Sequence, residues 1–485
     1  MTTESPGAGE QELRIAEEDV RSHSAIFKKE LGVVDLALSQ LLFIVGLQWV
    51  GVAAKLGPAH VVFWLLAIVL FYLPTAFVVT YLNRLMPLEG GLYQWAKLGF
   101  NEFVGFLVAW NLWLFAIVLT SEIGLQVTTY LSYALGPRAA WIAGSKWLTG
   151  LSGCVIIGGL VVVSTVGLGV GKWLHNAGGA MMIVLFAALL ALPFLNLWRG
   201  TLSEYHPFAT ALPALSLRNL NILGKLGFGA LGGFEYVAIL AGECRNPTRA
   251  ISRSVLISAP IIALMFILGT SSVLALVPIN EIDLIGPIPQ VLSIGTRSLG
   301  IAGQIVPVVI IMSLAIRVAA GSFTFTGNTR LPMVAGWDHL LPGWFTRLHA
   351  SYRTPVNSII FVGMMALFMS LAGIIGVGQQ EGYQLLQNAA GIFYAMTYLV
   401  MFAIPIIGLS SIRPRPPLWL YITSLSGFLM TLLYVTLSVF PIINVGSQAS
   451  FAAKISGVII TANIIGAGIF LIAERRRRRA NTPVV

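Results

Sequence analysis

Gly227-Phe228-Gly229-Ala230-Leu231-Gly232-Gly233-Phe234-Glu235 occupies the middle of an apolar run that extends from residue 222 to residue 243. Four of these nine residues are glycine, and each lowers the cost of leaving helical geometry. At membrane depth a broken helix is tolerated only where its freed N–H and C=O groups line a cavity or meet a ligand. Glycine-rich stretches also let helices pack closely, so the glycines alone leave both readings open. Glu235 tips the balance. An ionised carboxylate there costs several kcal/mol unless it is paired, hydrated or protonated, a setting that suits a proton carrier. The bland alternative is a permanently protonated carboxyl bonded to a neighbouring helix. Gly227, Gly229 and Gly232 also spell G-x-G-x-x-G, but the dinucleotide fingerprint needs a preceding strand and a surrounding βαβ unit, and apolar sequence stands in their place.

The run is one of many. Of the 485 residues, 57% are hydrophobic and only 10% charged, too few polar groups to clothe several water-soluble cores. Apolar stretches of about 20 residues or more, each able to cross a roughly 30 Å hydrocarbon layer as a helix, recur along the chain. Twelve are expected, at 31–54, 60–85, 102–134, 147–169, 173–195, 222–243, 252–277, 299–326, 355–376, 384–409, 418–441 and 451–473. The fold class is therefore an all-α integral membrane protein. Residues 1–30, rich in acids, read as a disordered cytosolic tail without a signal peptide, and 474–485 as a basic cytosolic tail.

Lys and Arg are retained on the cytoplasmic side during insertion. With the N-terminus inside, eighteen fall in inner segments, among them Arg245, Arg249, Arg253 and Arg475 to Arg479. Eight fall outside: Lys55, Arg138, Lys146, Arg199, Arg218, Lys225, Arg297 and Lys454. Both termini are expected in the cytoplasm of a multi-pass protein of the cell membrane. The net charge of +10 does not point to nucleic acid, because the basic residues sit singly between apolar runs. The Arg475 to Arg479 run, directly after a span, reads as an anchor at anionic lipid headgroups. Cys154 and Cys244 form neither a disulfide framework nor a metal site. No phosphate-cradling G-x-x-x-x-G-K-[ST] loop exists, so ATP-driven pumping is not expected. No cofactor or metal is expected.

Two further intramembrane charges stand out, Arg317 in the eighth span and Glu122 in the third. At about 1.5 Å per residue, Glu122 lies in the outer third and Arg317 in the inner third, which disfavours a direct bridge. Asp35, at the inner start of the first span, is the expected partner of Arg317. Glu122 is expected to face an outer aqueous vestibule.

Three loop segments carry a family resemblance. Pro87-Leu88-Glu89-Gly90-Gly91-Leu92-Tyr93-Gln94-Trp95-Ala96 and Gly242-Glu243-Cys244-Arg245-Asn246-Pro247-Thr248-Arg249-Ala250-Ile251 resemble the two cytoplasmic signatures of the amino acid–polyamine–organocation (APC) superfamily. Thr329-Arg330, Gly336-Trp337-Asp338-His339-Leu340-Leu341-Pro342 and Arg353-Thr354-Pro355 resemble its loop between spans 8 and 9. The likeness covers residues 31–473. It implies two five-span repeats of opposite topology, 31–195 and 222–409, two peripheral helices in 418–473, and a substrate site where spans 1 and 6 break. Gly232, Gly233, Phe234 and Glu235 match the family's span 6 segment, with Glu235 on a glutamate implicated in coupling or gating. In span 1 the usual Gly-x-Gly reads Gly46-Leu47-Gln48, so the second glycine is absent, as in the glutamate:γ-aminobutyrate exchanger branch. The lysine that several members carry in span 5 is also missing, and Arg317 is the candidate to supply that charge or to bind a substrate carboxylate. Phe228, Phe234 and Trp95 are candidate aromatic gates.

These observations point to a secondary active amino-acid transporter working by alternating access, with proton symport or exchange. Its partners are a small amino acid or amine, protons and membrane lipid. A polyamine or amine exchanger, a glutamate/γ-aminobutyrate-type exchanger and an amino-acid-binding receptor without flux are the alternatives. An intramembrane enzyme would want a Ser/His or His/Asp cluster at depth, and the six histidines are expected in the tail, loops or span ends.

Overall fold

The computed structural model describes residues 28–481 together with Glu18 and Ser22, apart from positions 136, 140, 209, 213, 215, 283, 285, 298, 299, 301, 338, 373–378, 409–415 and 442–446. Most of the expected N-terminal tail, and Arg413 and Arg415 of the inner loops, lie outside the described residues. Among those described no strand forms; one isolated bridge joins Leu31 to Cys244.

The first apolar run is split into α1 (Val33–Ile44) and α2 (Trp49–Ala54). After α3 (Gly57–Leu85) and the short α4 (Leu92–Gly99) come α5 (Glu102–Ser121) and α6 (Ile123–Leu135), which meet at Glu122. Then follow α7 (Lys146–Val166) and α8 (Leu168–Trp198), parted by Gly167. The next run begins as α9 (Leu217–Gly224), passes through a π-helical turn at Lys225–Ala230, breaks at Leu231 to Gly233, and resumes as a 3-10 segment over Phe234–Glu243. The rest comprises α10 (Pro247–Leu276), the short α11 (Pro287–Gly295), α12 (Ala302–Trp337), α13 (Val356–Ala372), α14 (Gln379–Ala403), α15 (Leu418–Leu437) and α16 (Gln448–Asn481). Among the described residues ten segments are long and apolar enough to cross a membrane, while α1 and α13 are shorter apolar helices.

Local chemistry sets several boundaries. The Asn101 side chain accepts from the Val104 N–H at 3.0 Å and starts α5, and Asn246 accepts from Arg249 N at 3.2 Å with Pro247 behind it to start α10. α12 runs eleven residues past the expected end of the eighth span, residue 326. Its polar stretch reads as a loop in sequence but is satisfied inside the protein: Thr326 bonds Ser164 at 3.1 Å, Asn328 donates to Trp113 O at 3.2 Å, and Arg330 pairs with Glu243. The arginine run Arg475 to Arg479 likewise continues α16 as helix.

The core groups α1, α8, α10 and the split segment against α12, with α14 packed on α5. Gly91, at φ +46°, turns the chain into α4 where a Cβ would come within 2.8 Å of the backbone of Ala238 and Ile239. Neither backbone can yield, so Gly91→Ala should lower stability by about 1–3 kcal/mol, seen as a reduced melting temperature of the purified protein in detergent.

Candidate functional site

The two interruptions face one another across a cavity of about 430 Å³. Gly46, Leu47 and Gln48 line it from the first, Phe228, Gly229 and Gly232 from the second, Ile316 and Arg317 from α12, and Gln384, Gln387 and Asn388 from α14. At the first interruption Gly46 N donates to Ile44 O at 2.8 Å, and Trp49 N donates to Gly46 O at 3.1 Å. The N–H groups of Leu47 and Gln48 have no hydrogen-bond acceptor among the described residues. At the second, Gly233 sits at φ +135°, a conformation closed to ordinary side chains, and its N–H donates to the Tyr398 hydroxyl at 2.6 Å.

Glu235 lies one side chain behind the cavity. Its two carboxylate oxygens accept hydrogen bonds from the hydroxyls of Tyr394 and Tyr398, and Tyr394 lines the cavity whereas Gly233, Phe234 and Glu235 do not. Glu235 is 1% exposed. An aromatic layer closes this side: Phe115 stacks on Tyr394 with centroids 4.3 Å apart, Phe43 stacks on Tyr236 at 4.5 Å, and Phe323 meets both Phe43 and Tyr236 edgewise or tilted.

The remaining charges are arranged differently from expectation. Arg317 does not pair with Asp35. Asp35 accepts from Gly32 N at 2.8 Å and from Asn176 Nδ2 at 2.6 Å, whereas Arg317 Nε donates to Gln126 Oε1 at 2.7 Å. The other end of Gln126 reaches the Glu122 carboxylate at 3.4 Å, and Gln387 donates to the same oxygen at 2.6 Å. The reason is the length of α12. Glu122 lies twenty residues beyond Glu102 and Arg317 twenty residues before Trp337, in helices of opposite direction, so the two charges come level. Glu122 is buried, at 0% exposure, rather than facing a vestibule.

Lys225, counted with the outer loops from sequence, is also inside. It lines the cavity at 3% exposure, donates to Asn388 Oδ1 at 3.2 Å and sits 5.9 Å from the Tyr434 ring centroid. Three apolar-run residues ahead of it and the glycines just after it mark it in sequence as a lysine already within a span. Tyr394 and Tyr398 carry no signal one by one, but with Gln384, Gln387 and Asn388 they form a polar stripe at helical spacing along α14. His175, expected near a span end, lies within α8 and bonds Ser322 at 3.2 Å.

Trp95 is remote from the cavity; its Nε1–H donates to Met86 O at 2.8 Å and anchors the loop before α4. That loop belongs to a second buried cluster where the signature segments converge. The Glu89 carboxylate accepts from Gly242 N, Lys29 donates to Gly242 O, and Glu30 N and Leu31 N donate to Glu243 O at 3.0 and 3.1 Å. Arg330 clasps Glu243 through Nε at 2.9 Å and Nη2 at 2.6 Å. Burial, helped by the neighbouring Glu243 charge, pushes the Glu89 carboxyl up to about 8 from its usual 4.5. An acid raised on folding stabilises the native state most below its unfolded value, and that stability is lost as pH rises through the folded value. The melting temperature should therefore fall between about pH 4.5 and pH 8, and Glu89→Gln should flatten that part of the profile.

A model of the amino acid permease family matches residues 32–470. An uncharacterized transporter of Legionella pneumophila is 25% identical over 404 residues, 80% of this chain and 83% of its own length. A serine/threonine exchanger of Bacillus subtilis is 23% identical over 59% of this chain and 62% of its own. A probable agmatine/putrescine antiporter of Lactococcus lactis is 22% identical over 53% and 54%.

Proposed function

The chain belongs to the amino acid permease family, which comprises multi-pass membrane transporters rather than enzymes, and on that premise we propose that it carries amino acids across the cell membrane by alternating access. The observation that carries this reading is the single cavity shared by both helix interruptions. A substrate carboxylate meets the unpaired N–H groups of Leu47 and Gln48, and its ammonium meets carbonyls freed around Gly232, as helix-terminus electrostatics favour. Glu235 takes up and releases the proton that couples transport, reached from the cavity through Tyr394. The aromatic layer of Phe43, Phe115, Tyr236, Phe323 and Tyr394, and beyond it the Glu89–Glu243–Arg330 cluster, close one side of the site in the state described.

The same reading supplies the finer architecture. α1 with α2, together with α13, completes twelve spans with the ten long segments. Each five-span repeat, 31–195 and 222–409, opens on an interrupted helix, and both termini lie in the cytoplasm. Uptake of labelled amino acids into proteoliposomes, with and without an inward proton gradient or internal amino acid, tests it. Uptake that needs the gradient makes the protein a symporter, and uptake that needs internal substrate makes it an exchanger. Saturable binding of amino acids with no flux under either condition would replace the transporter by a receptor.

A further inference from the structure

We propose that the cavity is built for a substrate with two carboxylates, an acidic amino acid or a close dicarboxylate analogue, a refinement that rests on the permease reading above. The charged side chains that line the cavity, Arg317 and Lys225, are both cationic. Arg317 uses only Nε within the protein, on the neutral Gln126, and its two terminal nitrogens make no hydrogen bond among the described residues. That leaves the planar fork of the guanidinium presented at the cavity wall, the geometry that grips a carboxylate with two parallel bonds. Lys225 is the second cation. Its ammonium is held by one neutral acceptor, Asn388, and has no carboxylate partner among the described residues.

Both nearby carboxylates stand behind this layer. Glu122 does not line the cavity and is wrapped by Gln126 and Gln387; Glu235 does not line it either and is capped by Tyr394 and Tyr398. Adjacent residues of α14 organise the two halves, Gln387 holding Glu122 on the Arg317 side and Asn388 holding Lys225. A neutral amino acid, its one carboxylate held by the Leu47 and Gln48 N–H groups, brings no negative charge to the buried Lys225 or to the open fork of Arg317. A dicarboxylate brings a second carboxylate to them. A diamine brings positive charge against two cations and is disfavoured.

The isosteric pairs glutamate/glutamine and aspartate/asparagine isolate that second charge. With the purified full-length protein in proteoliposomes, each compound competes against uptake of a labelled amino acid that the protein carries. Wild type should prefer the acid over its amide by about tenfold or more, the difference between a charge-assisted and a neutral hydrogen bond. Lys225→Gln and Arg317→Gln should each narrow the ratio toward one, whereas Lys225→Arg and Arg317→Lys keep most of it. The wild-type comparison decides even where a variant fails to fold. Amides competing as well as or better than acids, or preference for putrescine, would overturn the dicarboxylate assignment. If neutral amino acids alone are carried, the permease reading stands without it; if no amino acid moves or competes, both readings fall together.

Discussion

Glu235→Gln is expected to abolish the stimulation of uptake by an inward proton gradient while leaving substrate binding and counterflow in place. Site-to-site coupling free energies of about 1–3 kcal/mol correspond to roughly 5–150-fold, and that is the factor that should vanish. The substitution is nearly isosteric. Glutamine keeps an oxygen for one tyrosine hydroxyl, and the hydroxyl of Tyr394 is free to turn and accept from the new amide. Tyr398 remains fixed, because its oxygen also accepts from Gly233 N at 2.6 Å. Loss of gradient dependence with an unchanged half-saturating concentration for counterflow would mark Glu235 as the proton site. Retained gradient dependence would move that role elsewhere.

The second large effect is on stability. Arg330 is 1% exposed, and its Nε and Nη2, both donating to Glu243 Oε1, tie α12 to the end of the interrupted sixth span. Removing one partner of a buried, hydrogen-bonded pair leaves the other charge without compensation and typically costs about 3–5 kcal/mol. Arg330→Met should therefore lower the melting temperature sharply and reduce the yield of monodisperse protein. Arg330→Met with Glu243→Leu, which removes both charges, should recover much of the loss. If the single variant melts like wild type, the pair does not hold this end of the protein closed.

Much of the fold was legible because membrane burial writes itself in long apolar runs. The glycine cluster ending at Glu235 announced its break, and the helix there does leave α geometry between Gly224 and Phe234. Position along a run was a poorer guide to depth. The polar sequence from Thr326 to Arg330 looks like a loop, and only tertiary partners on α7, α5 and the sixth span make it helix interior. That displacement is what misplaced Arg317 and hid its link through Gln126 to Glu122. Lys225 departs from expectation for the opposite reason: near the start of an apolar run a basic residue reads as a loop charge, yet Lys225 stands inside the run. The polar stripe of α14 was readable in principle. Each of its members is individually unremarkable, and only their shared face gives them meaning.

The signature loops illustrate a different limit. Their residues were recognisable as a set, but not why they belong together. The structure supplies the reason: Glu89, Gly242, Glu243 and Arg330 come from three distant parts of the chain and form one buried polar cluster, with the exposed Lys29 at its edge. Trp95, read as a gate, serves this cluster by fixing the loop before α4 and stands away from the cavity.

The central claim is that substrate binds in the cavity between the two helix interruptions. Ala320 lines that cavity from α12. In an Ala320→Cys variant also carrying Cys154→Ser and Cys244→Ala, the most direct measurement is the alkylation rate of the new thiol by a small maleimide, with and without a transported amino acid. The account predicts that substrate slows alkylation, with half-protection at the concentration that half-saturates transport. An alkylation rate unchanged by saturating substrate, in a variant that still transports, would place the binding site elsewhere.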